Sequence, residues 1–306
     1  MNWNGVMPAM TTAFDDKLNI DLSFVDHHAR WLAANGCTGI VCLGSLGEAA
    51  ALTFEEKMAV VSTAASAVGD RVPVVAAVSA LSTSEAVRIA QGAAQAGASG
   101  LMILPPYVYR GDWREMKSHV AAVLKATQLQ AMLYNNPVAY GTDFLPEQIA
   151  ELASEFGNLA AVKESSMDVR RVTAIRAITG DRLAIFVGVD DAIVEGIEAG
   201  AVGWIAGLVN ALPRESVALF DLGRSGRKQE CFELYRWFLP LLRMDTVPKF
   251  IQLIKQVQQE LGIGSARVRP PRLELVGEEL ARVRSEVARA QATRPPVAIA
   301  SAPFER

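Results

Sequence analysis

The chain has 306 residues, with 30 Lys plus Arg against 33 Asp plus Glu, a formal net charge of −3 and 51% hydrophobic residues. This balance argues against a general nucleic-acid or membrane-surface binder, because either needs clustered basic residues. No uncharged apolar stretch reaches the roughly 20 residues that span a bilayer, and the opening residues lack a targeting pattern. The sequence therefore predicts a cytoplasmic globular protein without nucleic-acid or membrane partners.

Cysteine and histidine usage limits the cofactor chemistry. Cys37, Cys42 and Cys231 are odd in number and scattered along the chain, which fits neither a disulfide framework nor a structural zinc site. The three histidines lie in stretches with a helical pattern, away from the glycine-rich turns. We therefore predict neither a histidine-based metal site nor a Ser/His/Asp triad.

Eight apolar runs of strand length follow one another, separated by helical patterns, and all are continuous rather than alternating. They span residues 6–10, 40–43, 74–78, 101–104, 131–134, 160–162, 183–187 and 203–206. Continuous apolar strands are typical of a parallel sheet that is covered on both faces. Eight β–α units predict an α/β fold of the (β/α)8 barrel type, whereas a doubly wound sheet would carry a glycine fingerprint after its first strand.

After the eighth run the pattern is wholly helical, with helices predicted at 213–223, 228–242, 247–261 and 277–292. We therefore divide the chain into a barrel over residues 1–210, a helical extension packed on the barrel over residues 211–292, and a loose tail over residues 293–306.

Polar residues that follow the strands are the candidates for chemistry, because the active sites of such barrels lie at the carboxyl ends of the strands. Four segments qualify: Gly44-Ser-Leu-Gly-Glu48, Tyr134-Asn-Asn-Pro137, Lys163-Glu-Ser-Ser166 and Gly188-Val-Asp-Asp191.

Lys163 directly follows an apolar strand, so its amine would lie in the barrel mouth. Desolvation there would lower its pKa and free the amine as a nucleophile toward carbonyls. A salt bridge to Glu164, or simple exposure at the strand end, would explain the same position.

Tyr134 and the glycine turn leave similar choices open. Tyr134 is either a proton donor or a packed core residue. The turn from Gly44 to Gly47 offers backbone N–H groups that could bind a carboxylate. Glu48, Asp190 and Asp191 could hold a divalent metal, although an Asp pair before a helix is more often a cap.

Together, these four segments resemble the dihydrodipicolinate synthase and N-acetylneuraminate lyase family, Schiff-base enzymes built on a (β/α)8 barrel. The resemblance covers about residues 4–275 and preserves the order and approximate spacing of the family's motifs. It implies that Lys163 forms the Schiff base and that Tyr134 acts as acid and base, with Ser45 relaying protons. No metal or organic cofactor is implied, because the protonated imine itself is the electrophile.

The resemblance also implies further contacts. The N–H groups of Ser45 and Leu46 would hold the substrate carboxylate, and a homotetramer built as a pair of dimers is expected, with Tyr107 and Tyr109 at an interface. Substrate-binding residues implied in this way are Gly44, Ser45, Leu46, Gly188, Asp190 and Ile205.

Three departures from the family pattern narrow the function. Ala139 stands where dihydrodipicolinate synthases have an Arg that grips the substrate carboxylate, so the lysine-pathway condensation is disfavoured. The two positions at which the family has hydroxyl side chains are here Ser45 and Leu46, so only one hydroxyl remains. The family's interfacial Tyr corresponds to Val108.

Within the family, the segments around YNNP, GVDDAIVEGIEAG, LYRWFLPLLRMD and VRPPRLEL most resemble 1-pyrroline-4-hydroxy-2-carboxylate deaminases. We therefore expect deamination of that cyclic imine to 2-oxoglutarate semialdehyde and ammonia. The alternatives are an aldolase or dehydratase of a 2-keto-3-deoxy acid, a metal-dependent lyase, and a non-catalytic keto-acid sensor.

Overall fold

In the computed structural model, which describes residues 1–296, eight parallel strands form one sheet. The strands are β1 (Gly5–Pro8), β2 (Ile40–Cys42), β3 (Val74–Val78), β4 (Gly100–Ile103), β5 (Gln130–Asn135), β6 (Leu159–Glu164), β7 (Ala184–Val187) and β8 (Gly203–Ala206). Each pairs with its neighbours in the order β1-β8-β7-β6-β5-β4-β3-β2. A bridge from Ala9 to Val41 joins the two ends and nearly closes the ring. The predicted (β/α)8 barrel is confirmed.

Helices surround this sheet and extend beyond it. They are α1 (Leu22–Ala34), α2 (Phe54–Val68), α3 (Thr83–Gln95), α4 (Trp113–Lys125), α5 (Pro137–Tyr140), α6 (Pro146–Glu155), α7 (Arg170–Thr179), α8 (Ile193–Glu198), α9 (Pro213–Arg224), α10 (Lys228–Leu242), α11 (Phe250–Glu260) and α12 (Gly277–Ala292). Single 3₁₀ turns lie at Ala49–Ala51, Asp190–Ala192, Leu208–Asn210 and Arg243–Asp245.

Local sequence signals explain where several helices begin. A capping box lies at the start of α2, since Thr53 accepts from the N–H of Glu56 and Glu56 accepts from the N–H of Thr53. At the start of α3, Ser82 accepts from the N–H of Glu85 at 3.3 Å, which is half of such a box.

The strand boundaries differ from the prediction at two functionally important ends. β6 runs through Lys163 and Glu164, because both pair with β7, whereas the apolar run stops at residue 162. β2 ends at Cys42, one residue early, because Leu43 takes a left-handed φ of 64° that leaves the strand conformation.

Large apolar side chains fill the space inside and around the barrel, including the fully buried Trp204 and Phe186. The four predicted C-terminal helices are present as α9 to α12, and they pack on one another. The proposed division at residue 210 stays a prediction, and residues 297–306 of the predicted tail lie outside the described residues. Within residues 1–296, every helix is too short or too polar to cross a membrane.

Candidate active site

Lys163 lies at the mouth end of β6, with only 5% of its surface exposed. Its register partner on β5 is Tyr134, and its Nζ lies 4.0 Å from the centroid of that ring. Within the described part of the chain the amine has no hydrogen bond and no ion pair. A Cβ at Gly188 would overlap Lys163 Cε, so this glycine leaves the space that the lysine side chain occupies.

Burial lowers the pKa of the Lys163 amine, while the nearby Asp245, Tyr140 and Asp190 act in the opposite direction. Burial prevails, so more of the amine is unprotonated than in an exposed lysine. An unprotonated amine is the form that attacks carbonyl and imine carbons.

Glu164 is not the partner of Lys163, because successive side chains of a strand point to opposite faces. Its carboxylate instead accepts from Asn135 Nδ2 at 3.0 Å and from the N–H of Ser166 at 2.7 Å. The salt-bridge explanation of Lys163 is therefore wrong.

Tyr134 is buried, with its hydroxyl accepting a hydrogen bond from Asn136 Nδ2 at 3.0 Å. Burial raises the pKa of this phenol. Tyr134 is therefore protonated at neutral pH and can donate a proton within the mouth.

The turn after β2 carries backbone strain at both ends. Leu43 and Glu48 have φ values of 64° and 55°, and neither is a glycine. Such conformations cluster at functional sites because the surroundings must hold them in place. The N–H groups of Ser45 and Leu46, between these two residues, donate to no acceptor within residues 1–296, so they are available to a substrate carboxylate.

A buried ion pair fixes the end of this turn. Lys255 on α11 donates to Glu48 Oε1 at 2.7 Å, and both side chains are almost fully buried. The N–H of Arg269 donates to Glu48 Oε2 at 3.0 Å. Two segments of the C-terminal extension thus hold a loop of the barrel mouth.

Tyr140 is a site residue to which the sequence analysis assigned no role. Its hydroxyl is hydrogen-bonded to the Ser45 hydroxyl, and its ring packs edge-on against Tyr134 with centroids 5.7 Å apart. The single-turn helix α5 produces this arrangement, since Asn136 caps its start and Gly141, with a φ of 73°, ends it. Burial raises the pKa of Tyr140, as it does for Tyr134.

Asp190 is fully buried at the end of β7, and its own chain occupies its carboxylate. Trp204 Nε1 donates to it at 3.0 Å, and the N–H groups of Gly207 and Leu208 donate at 3.1 and 2.8 Å. Burial raises its pKa to about 6. These bonds hold the end of β8, so the substrate-binding role of Asp190 stays a prediction that this geometry disfavours.

The three carboxylates of the metal hypothesis are engaged separately. Glu48 pairs with Lys255, Asp190 binds the end of β8, and Asp191 lies 3.4 Å from Arg243 Nε. Because each has its own partner in a different place, they do not form a ligand set, which disfavours the metal-dependent lyase.

A fourth carboxyl group reaches the mouth from outside the barrel. Asp245 follows α10 in a 3₁₀ turn, and its carboxylate covers Gly207 at the end of β8, where a Cβ would overlap Oδ1. The side chain is half-buried, and its partial desolvation together with the neighbouring Asp190 raises its pKa well above the ordinary value. In the sequence, Asp245 is the last residue of the LYRWFLPLLRMD segment, which indicated no role for it.

Comparison with known proteins agrees with this geometry. The model of the dihydrodipicolinate synthetase family matches residues 2–290. The chain belongs to this family.

Two curated relatives in this family are 4-hydroxy-tetrahydrodipicolinate synthases. That of Methanoculleus marisnigri is 32% identical over 89% of this chain and 94% of its own, and that of Methanothrix thermoacetophila is 30% identical over 92% and 95%. Among solved structures, an E. coli K12 prophage protein of the family, in complex with pyruvate, has a TM-score of 0.89 and 25% identity. The match covers 95% of this chain and 99% of that one.

Family membership supports an enzyme with Schiff-base, aldolase-type lyase chemistry. The structure brings Lys163, Tyr134, Gly188 and the glycine turn to one end of the barrel, as the sequence predicted, and their individual roles remain predictions. Ile205 is a buried aliphatic residue of β8, and its contact with substrate is likewise untested.

The two predicted interface tyrosines lie differently. The Tyr107 ring faces Tyr140 of its own chain, with centroids 6.1 Å apart. Tyr109 is 53% exposed and donates to Glu115, and Val108 between them is 71% exposed. Tyr109 and Val108 are therefore the residues available to a neighbouring subunit.

Proposed function

We propose that this enzyme deaminates 1-pyrroline-4-hydroxy-2-carboxylate, giving 2-oxoglutarate semialdehyde and ammonia. The observation that carries the proposal is the buried amine of Lys163, which lies over the ring of Tyr134 and has no ion-pair partner among residues 1–296. Such an amine is suited to attack an imine carbon next to a carboxylate.

In the first half of the reaction Lys163 attacks C2, and the ring nitrogen leaves that carbon as the amine of an open chain. The resulting protonated Schiff base is an electron sink that permits loss of a proton from C3. The C4 hydroxyl then departs as water.

Tautomerisation moves the unsaturation to C5, where water releases ammonia, and a second water frees Lys163. One water leaves and two enter, so the net reaction consumes one. The protonated imine supplies the electrophile, and the proposed reaction needs no metal or organic cofactor.

Three groups have assigned roles in this scheme. Tyr134 serves as acid and base, and Ser45 relays protons through its bond to Tyr140. The N–H groups of Ser45 and Leu46 hold the substrate carboxylate by oriented dipoles. One group of donors for a carboxylate and one lysine for an imine carbon suit a small cyclic imino acid as the substrate.

Ala139 supports this substrate over the condensation named for the curated relatives. A second substrate carboxylate would need a cation, and the family's Arg is missing at this position. The segments around YNNP and GVDD are also most similar to the deaminase branch.

Product analysis tests the proposal. Purified protein should release ammonia and a semialdehyde from the hydroxy-pyrroline, with Lys163→Ala as the inactive control. Water loss or carbon–carbon cleavage of a 2-keto-3-deoxy acid, without ammonia from the hydroxy-pyrroline, would instead support the dehydratase or aldolase. Binding without any product would support the sensor.

We also propose a homotetramer with the exposed Tyr109 at an interface. Tyr109→Ala should then lower activity in step with subunit dissociation, measured by light scattering at the assay concentration. A fully active monomer of the unmodified protein would refute this assembly.

A further inference from the structure

We propose that Asp245 is a further catalytic residue of this site, and that its carboxyl group donates the proton with which the C4 hydroxyl leaves as water. The inference rests on the proposed function in one respect: the substrate carries a hydroxyl on the carbon two bonds from the imine carbon. It adds a residue from the helical extension to a site otherwise built by the barrel.

The residues that precede Asp245 anchor its 3₁₀ turn at the mouth. Met244 is buried, and Arg243 Nε lies 3.4 Å from Asp191 in the turn after β7. On the preceding helix, the Tyr235 hydroxyl donates to the backbone oxygen of Asp191. Asp245 is therefore held by the protein and does not hang from a free loop.

Glycines at the ends of β7 and β8 leave adjacent spaces for two side chains. Gly188 makes room for Lys163, and Gly207 makes room for the carboxylate of Asp245. Gly207 has a right-handed φ of −87°, so backbone conformation does not require glycine there. The Asp245 carboxylate is what requires glycine at position 207, because a Cβ there would overlap Asp245 Oδ1.

Within residues 1–296 the Asp245 carboxylate has neither a hydrogen bond nor an ion pair. This distinguishes it from Asp190, whose oxygens are occupied by the end of β8. The charged groups that influence the pKa of Asp245 are Lys163 from β6 and, from the turn after β7, Asp190 and Asp191. Asp245 in turn influences the pKa of Tyr134 from β5. It is thus close to both proposed reacting groups and still has its hydrogen-bonding capacity.

Its protonation state suits an acid. Asp245 is half-buried, and its partial removal from water and the neighbouring Asp190 both raise the pKa of its carboxyl group, which therefore keeps its proton at higher pH than usual. Tyr134, on the other side of Lys163, gives its proton when the ring nitrogen leaves C2, and its phenolate then removes the C3 proton. Acid and base are then separate groups on two sides of the imine.

After the C3 proton leaves, the enamine electron pair forms the C3–C4 double bond and regenerates the iminium at C2. The C4–O bond breaks, and its electron pair leaves on oxygen, which takes the Asp245 proton and departs as water. The Asp245 carboxylate then regains a proton from the water that attacks the iminium.

This assignment also determines which bond breaks. Aldol cleavage between C3 and C4 needs a base to take the proton of the C4 hydroxyl, whereas elimination needs an acid to give it one. A protonated carboxyl group at this position favours elimination and disfavours aldol cleavage.

The experiment compares Asp245→Asn and Gly207→Ala with the unmodified protein. Two substrates are assayed, the hydroxy-pyrroline and an open-chain 4-hydroxy-2-keto acid that can lose water without releasing ammonia. Asp245→Asn should lower kcat for both by about 10² to 10⁴, the range of general acid–base groups. Gly207→Ala, which displaces the carboxylate without altering it, should lower kcat for both as well.

Two further readouts separate catalysis from structure. Borohydride trapping of pyruvate on Lys163 should remain at the unmodified level in both variants, because imine formation does not need the acid. The alkaline fall in kcat that marks deprotonation of Asp245 should disappear in Asp245→Asn. Asp181→Asn, a fully exposed surface aspartate, is the matched control and should leave kcat unchanged.

The inference is overturned if Asp245→Asn has an unchanged kcat, or if it loses pyruvate trapping together with turnover. It is also overturned if the unmodified protein eliminates water from neither substrate. If the unmodified protein dehydrates the open-chain acid but releases no ammonia from the pyrroline, the proposed function fails. The inference about Asp245 then survives when Asp245→Asn abolishes that dehydration. If Asp245→Asn releases ammonia at the unmodified rate, the proposed function survives and the inference about Asp245 fails.

Discussion

The hydroxyl of Tyr140 is hydrogen-bonded to the hydroxyl of Ser45, which joins the turn after β5 to the turn after β2 within one chain. The ring of Tyr140 also lies edge-on to Tyr134. A single subunit therefore contains a serine and two tyrosines in contact beside Lys163. The family's usual interfacial tyrosine position is Val108 in this sequence, and we propose that the Tyr140 hydroxyl of the same chain takes part in the relay instead.

Removing the Tyr140 hydroxyl tests this intramolecular relay. We expect Tyr140→Phe to keep the ring contact with Tyr134 and to lower kcat by about tenfold to a hundredfold, since Ser45 loses its proton partner. Steady-state kinetics measure the effect. Tyr109→Phe is the control, because it keeps the ring proposed for the interface and removes only a hydroxyl that is bonded to Glu115. An unchanged kcat in Tyr140→Phe would show that the bond to Ser45 is only structural.

Tyr134→Phe should have a larger effect, because this hydroxyl is proposed to act on the substrate directly. We predict a fall in kcat of roughly 10² to 10⁴ with little change in folding, since the ring and its contact with Lys163 remain. Single-turnover kinetics and a thermal melt separate the two roles. A lowered melting temperature with normal kcat would assign Tyr134 to packing alone.

Much of the barrel was predictable because strands buried on both faces leave an unmistakable pattern of apolar runs. Lys163, Tyr134 and the glycine turn could be found for a related reason: each follows such a run, and the fold brings strand ends together. The order and spacing of the motifs, which match those of the family, supported the same residues.

Tyr140 and Asp245 could not be found in this way. Tyr140 returns to the mouth only because α5 is a single turn, which depends on the Asn136 cap and the Gly141 stop. Asp245 arrives from a helix outside the barrel, and its position depends on packing against Gly207 and on the Arg243–Asp191 pair. Both positions depend on tertiary packing, which the spacing of residues along the sequence does not indicate.

The buried pair between Glu48 and Lys255 predicts a stability effect far larger than that of a surface pair. Glu48→Gln leaves the Lys255 ammonium buried without its counter-charge, so we expect unfolding to become easier by about 3 to 5 kcal/mol. Denaturant melts measure the loss, and Lys255→Met added to Glu48→Gln should restore part of it.

The matched control is Glu279→Gln, which breaks the exposed pair with Lys249 and should cost no more than about 1 kcal/mol. Equal losses at the two sites would contradict the account of how the C-terminal extension holds the turn after β2.

Borohydride trapping tests the central claim most directly. Pyruvate and the hydroxy-pyrroline are each incubated with the protein and borohydride, and peptide mass spectrometry locates the reduced adduct. Lys255 is the internal control, because it is equally buried but paired with Glu48. We predict that the adduct lies on Lys163 alone and is lost in Lys163→Ala, which should still fold. An adduct on Lys255 or another lysine, or turnover of the hydroxy-pyrroline with no adduct on Lys163, would contradict the account.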